Sequence, residues 1–191
     1  MKYFLNIFLT VGTLFSVCFA EDQTALPLVK VTIDKVVAAA ESLRGESNRA
    51  ERRIKLREII DERFDFPEMA KRSLGANWLK LTPEQQTEFV NVFSQLLSKT
   101  YMNRVEEAKP GMISVNTEQL EFPRSIVKTK VSHEGQTFPI DYKLYSQNGA
   151  WKVYDVVIEN IGLIANYRNE FSGTIRNDGF DALIIKLKDK L

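Results

Sequence analysis

At Pro110-Gly111 the spacing of apolar residues changes from three and four to two, and that change limits the fold more than any other feature of the chain. Upstream, Val29, Ile33, Val36, Val37, Ala40 and Leu43 fall on one face of a helix that Pro27 can start and that ends near Gly45. A second, highly charged helix is expected from about Asn48 to Arg63, with Ile59 and Ile60 one turn from Leu56. Asp65-Phe66-Pro67-Glu68 opens a short helix that Gly75 can close in a left-handed turn. Thr82-Pro83-Glu84-Gln85 combines a hydroxyl cap, a proline at the first helical position and a glutamine at the third, which is a capping box. The helix it starts carries Phe89, Phe93, Leu96, Leu97, Tyr101 and Val105.

Downstream of Pro110-Gly111, Val127, Thr129 and Val131 alternate with Ile126, Lys128 and Lys130. Phe138, Ile140, Tyr142 and Leu144 alternate likewise with Thr137, Pro139, Asp141 and Lys143. These are strands with one buried face. His133-Glu134-Gly135-Gln136 and Ser146-Gln147-Asn148-Gly149 are expected to join neighbours as tight hairpins, so the sheet is antiparallel. Pro139 has no N–H for a ladder and is expected at an edge or bulge. From Ile161 the helical period returns, with Ile164, Tyr167 and Phe171 on one face; after a glycine-containing break, Phe180, Leu183, Ile184 and Leu187 form another. Helices, then an antiparallel sheet, then helices again give the α+β class, with helices packed on one sheet face.

The first 20 residues belong to a different problem. A basic start at Lys2, an apolar core from Phe4 to Phe15 and small residues at Cys18 and Ala20 make an export signal cleaved after Ala20, its core too short for a membrane anchor. Val17 before Cys18 argues against a lipoprotein cysteine. Residues 21–191 are then one domain. Removing 20 residues from 191 leaves 171, enough for a real core, and removes the only cysteine. Loss of Lys2 leaves 25 basic against 25 acidic residues, so the mature chain has no net charge and lacks the basic excess of a nucleic-acid binder.

Catalytic chemistry finds little to work with. The sole histidine, His133, falls in a strand-to-strand turn and reads as a solvated turn residue; one histidine and no cysteine do not make a zinc site. No phosphate-cradling glycine motif occurs. Asp141, Asp155 and Glu159 lie in or beside the β half and are expected at exposed positions rather than paired in a pocket. No catalytic residue, metal or cofactor is therefore assigned, and the chain is expected not to be an enzyme. What it does carry is a set of large apolar side chains on separate elements that converge on one sheet. They line a pocket or fill a core; periodicity is the same for both.

Two blocks carry a family resemblance. Leu74-Gly75, Trp78, Leu81-Thr82, Gln85, Phe89, Phe93, Leu97 and Tyr101 form the first. The second runs from Trp151-Lys152-Val153-Tyr154-Asp155-Val156 through Glu159, Ile161, Leu163, Tyr167-Arg168 and Phe171 to Gly179-Phe180, Leu183-Ile184 and Leu187. Together they resemble the periplasmic phospholipid-binding family, also called the toluene-tolerance or MlaC family, of the pathway that maintains outer-membrane lipid asymmetry. The resemblance implies a curved antiparallel sheet under helices, with an apolar pocket for acyl chains and the head group near its mouth. It implies a shuttle between an outer-membrane lipoprotein complex and an inner-membrane ABC transporter complex. Combined with inward periodicity, it places lipid contacts at Leu74, Trp78, Phe93, Leu97 and Tyr101, at Tyr142, Val153 and Val156, and at Ile161, Ile164 and Tyr167. The competing reading is an envelope protein-interaction module with a filled core and no lipid cargo.

Overall fold

A computed structural model describes residues 24–191; the expected export signal lies outside the described residues. Helix α1 spans Leu26–Ser42, α2 Arg49–Arg63 and α3 Phe66–Leu74. A 3₁₀ segment, Gly75–Lys80, leads to α4, Pro83–Glu106. Five strands follow, β1 Ile113–Glu121, β2 Arg124–His133, β3 Gln136–Gln147, β4 Ala150–Ile158 and β5 Ile161–Gly162, and α5 covers Leu163–Lys188. The sheet is a curved, open antiparallel meander in the order β1-β2-β3-β4-β5, so the fold is α+β.

Local chemistry accounts for the boundaries. The Thr82 hydroxyl accepts from the Gln85 N–H at 3.3 Å and the Gln85 side chain accepts from the Thr82 N–H at 3.0 Å, which closes the capping box of α4. Asp65 caps α3 by accepting from the Glu68 N–H at 2.9 Å. α1 has no cap of its own; Glu118 of β1 accepts from the N–H groups of Ala25 and Leu26 at 2.7 and 3.3 Å and sets a carboxylate at its N-terminus. Gly75 does end α3 with positive φ, but ψ of −129° takes the chain into the 3₁₀ segment instead of a left-handed α turn. Within α5, Gly179 at φ 88° and ψ 173° breaks the helix, a backbone open essentially to glycine alone.

Both hairpin tips, Glu134-Gly135 and Asn148-Gly149, have positive φ at the two central residues, as a two-residue turn requires. The register sets Val127 opposite Tyr142, Thr129 opposite Ile140 and Val131 opposite Phe138, with Tyr142 in turn opposite Val156. Pro139 meets the expectation of an edge rather than a bulge, since it pairs with Lys130 of β2 and has no β4 partner. It lies inside β3, flanked by β2, and the β3–β4 bulge falls at Lys143/Leu144 instead. The position is tolerated because β4 pairing ends at Ile140↔Ile158; beyond it the Pro139 carbonyl accepts from the Glu159 N–H at 3.1 Å, so the missing donor falls where the ladder is already finishing.

The interior is three packed clusters. One joins α3, α4 and α5 through Leu74, Phe89, Phe93, Tyr167 and Phe171, whose rings meet edge to face or tilted at 5.2–5.7 Å apart from the stacked Phe89–Phe93 pair. A second seats Val29 and Ile33 of α1 on Val127, Leu144, Trp151 and Val153 of the sheet. The third ties α1, α2 and α4 through Ala39, Leu56, Ile59 and Met102. None of them fills the space between α4 and the middle of the sheet.

Candidate ligand cavity

That space is a cavity of about 630 Å³. It lies within the range of roughly 300–1,000 Å³ typical of ligand sites and far exceeds the voids left between close-packed side chains. α1 contributes Val29, Ile33 and Val36; α2 and the segment after it contribute Ile60, Phe64, Phe66 and Met69. α4 contributes Leu97, Tyr101, Met102 and Val105, and the sheet floor is Ile113, Val131, Phe138, Ile140, Tyr142, Val153, Val156 and Ile158. Val131, Phe138, Ile140 and Tyr142 of this floor belong to the inward row that the alternation of β2 and β3 predicts, and Ile113, Val153, Val156 and Ile158 extend it onto β1 and β4.

Polar side chains in the wall fall into two groups. Arg57 and Arg63 are tied down: Arg57 donates to Asp61 at 2.7 Å and lies over the Phe66 ring, and Arg63 donates to the Thr32 hydroxyl at 3.3 Å and the Trp151 carbonyl at 3.1 Å. The lining residues that are exposed are Arg104, Glu107, His133 and Glu159. They sit at the end of α4, the end of β2 and the β4–β5 turn, and so mark the mouth. Deeper in, burial pushes the Tyr142 hydroxyl up to about 12 although the residue keeps partial accessible surface; that surface opens on the cavity, where the phenol meets no charged neighbour.

Of the positions expected to contact lipid, Leu97, Tyr101, Tyr142, Val153 and Val156 line this wall. Leu74, Phe93, Ile164 and Tyr167 are elsewhere, buried in the α3–α4–α5 cluster, with Trp78 packed against it. Ile161 is 65% exposed and belongs to β5, paired with Ile158, not to the helix that follows. The apolar face of α4 is broad enough to serve both clusters, which is why its spacing does not separate Phe93 from Leu97. The contribution of α1 and α2 to the wall was missed. The signal was present in the Val29-Ile33-Val36 stripe, but the charge of α2 hid Ile60.

His133 ends β2 rather than forming the turn, with Nε2 4.0 Å from Glu107 and 3.8 Å from Glu134. Asp155, expected exposed, is buried. It accepts from the Ile164 N–H at 3.1 Å and pairs with Lys143 at 3.4 Å, so it holds the start of α5 on the sheet. Asp141 is half-buried on β3 opposite Lys128 and does not line the cavity. Among the described residues no group of three His, Cys, Asp or Glu could hold a metal ion, and no helix is long and apolar enough to cross a membrane.

Comparison with known proteins identifies the company this site keeps. The model of the MlaC protein family matches residues 30–189. Toluene tolerance protein ttg2D of Pseudomonas putida is 30% identical over 104 residues, 53% of this chain and 48% of that protein. The intermembrane phospholipid transport system binding protein MlaC of Haemophilus influenzae is 22% identical over 121 residues, 60% of this chain and 56% of that one. The chain thus spans about half the length of the curated relatives it matches. A phospholipid-binding protein from Ralstonia solanacearum, solved in complex with a phospholipid, has a TM-score of 0.78 at 24% identity, covering 88% of this chain and 97% of its own. At that identity the likeness is one of fold.

Proposed function

The chain belongs to the MlaC protein family, and on that premise we propose that it is a periplasmic phospholipid carrier, one domain of residues 21–191 that encloses acyl chains in the cavity between α4 and the sheet. It shuttles between an outer-membrane lipoprotein complex and an inner-membrane ABC transporter complex and catalyses no reaction. The observation that carries this reading is the cavity. An apolar space of about 630 Å³ is far larger than the gaps between close-packed side chains and within the range of ligand sites, and its wall of aliphatic and aromatic side chains suits hydrocarbon.

Energetics favour a carrier of this kind. Each methylene withdrawn from water is worth about 0.8 kcal/mol, so two chains of about sixteen carbons would cost roughly 25 kcal/mol in free solution. A free lipid in the aqueous space is negligible, whereas a wall without fixed polar contacts needs only to match a bilayer to load and unload. Leu97, Tyr101, Tyr142, Val153 and Val156 contact the chains in this account, together with Ile33, Val36, Ile60 and Ile140. The test is transfer of a fluorescent phospholipid from donor to acceptor vesicles. Purified mature protein is expected to accelerate it in proportion to its concentration; a rate equal to the protein-free blank rejects the carrier.

A further inference from the structure

The mouth of the cavity carries unspent charge. Arg104 lies one turn beyond Tyr101 on the cavity face of α4, and its guanidinium has no ion pair or hydrogen bond with any described residue. The Glu159 carboxylate has none either: its backbone is fixed by the bond to Pro139 and by a positive φ of 50°, while the side chain is left at the rim on the sheet side. Glu107 follows Arg104 by one further turn and meets only His133, at 4.0 Å. By contrast, Glu106, one residue before Glu107, is held in a network with Arg52 and Arg53. Arg104, Glu107 and Glu159 thus stand at the mouth of an apolar cavity with no ion pair among them.

Resting on the carrier reading, we propose that this rim recognises a zwitterionic head group, Arg104 taking the phosphate diester and Glu159 with Glu107 taking a primary ammonium. Guanidinium suits the phosphate because its fork of N–H donors matches two oxygens at once. An anionic head group without an amine leaves both carboxylates unmatched and repelled. The rim is open to water, so its selectivity is modest and weakens with salt. The apolar wall holds the chains whatever the head group; the rim decides which lipid is preferred.

The experiment incubates delipidated mature protein with vesicles containing equal amounts of phosphatidylethanolamine, phosphatidylglycerol and diacylglycerol, and quantifies the lipids retained after repurification. Wild type is expected to retain the ethanolamine lipid over the glycerol lipid by about five-fold, about 1 kcal/mol. Arg104→Gln lowers uptake of both phospholipids relative to diacylglycerol, which has no phosphate. Glu107→Gln with Glu159→Gln leaves total uptake intact and brings the preference to about one, whereas Lys109→Gln, a neighbouring charge outside the wall, changes nothing. Inorganic phosphate in excess leaves the preference unaltered; displacement by it would reassign the site to a free anion. Equal retention of the two phospholipids by wild type, or unchanged ratios in the rim variants, overturns the rim assignment while leaving the carrier intact. A wild type that retains no lipid at all, diacylglycerol included, overturns both.

Discussion

Replacing Phe93 and Ile140 in turn separates packed core from cavity wall. The Phe93 ring is fully buried and meets Phe89, Tyr167 and Phe171 at 5.6, 5.2 and 5.6 Å. Phe93→Ala opens a hole in that cluster and is expected to cost about 3 to 5 kcal/mol. For a domain of this size each kcal/mol moves the midpoint by about 2–4 °C, so melting falls by roughly 6–20 °C. The loss is the same with and without lipid, because the ring lies outside the cavity wall. Ile140 sits on the cavity floor and is incompletely buried. In a filled interior Ile140→Trp would overpack by about 1 to 3 kcal/mol or more. Beside 630 Å³ of free space the indole extends into the cavity, so delipidated protein melts within about 3 °C of wild type while retained lipid falls. Calorimetry and lipid-to-protein ratios on both variants, before and after extraction, decide the matter. An Ile140→Trp variant that loses as much stability as Phe93→Ala when delipidated, with unchanged lipid content, refutes the distinction.

Glu106 is 8% exposed between Arg53 at 2.9 Å and Arg52 at 3.1 Å. Burial alone would raise its pKa, but the hydrogen bonds and charges of Arg53 and Arg52 outweigh it and hold the carboxyl below 4.5. Its contribution is therefore fully present above about pH 4.5 and is lost as pH falls through the folded value; Glu106→Gln is expected to cost about 2 kcal/mol at pH 7 in urea unfolding and progressively less as the pH is lowered through that value. Gly179→Ala forces an L side chain into φ 88° and ψ 173° and should lower stability by about 1 to 3 kcal/mol, read as a shift of the denaturant midpoint at constant slope. N-terminal sequencing of the exported protein is expected to begin at Glu21; retention of Met1 would remove the export signal.

Much of the architecture is legible in the chain because each element announces itself through local chemistry. The capping box at Thr82, the glycines that turn both hairpins and the two-residue alternation of β2 and β3 require only the neighbouring residues. The site is harder to read because it is defined by what does not meet. Phe93 and Leu97 are one turn apart on α4, yet the first is locked among rings and the second reaches the cavity as well as the core. No spacing rule expresses that difference. Ile161 shows a second limit: the helical period passes through it, but β4 claims it for two residues of pairing before α5 begins. Asp155 shows a third, since a strand residue that caps a following helix becomes visible only when the two elements are placed together.

The most direct test is native mass spectrometry of the mature protein purified from the periplasm without detergent, followed by organic extraction of the same sample. The account predicts a mass above the bare chain by that of bound phospholipid, released on extraction in near-stoichiometric amount. A protein that is monodisperse, folded and at its bare mass, with no extractable lipid, would contradict it.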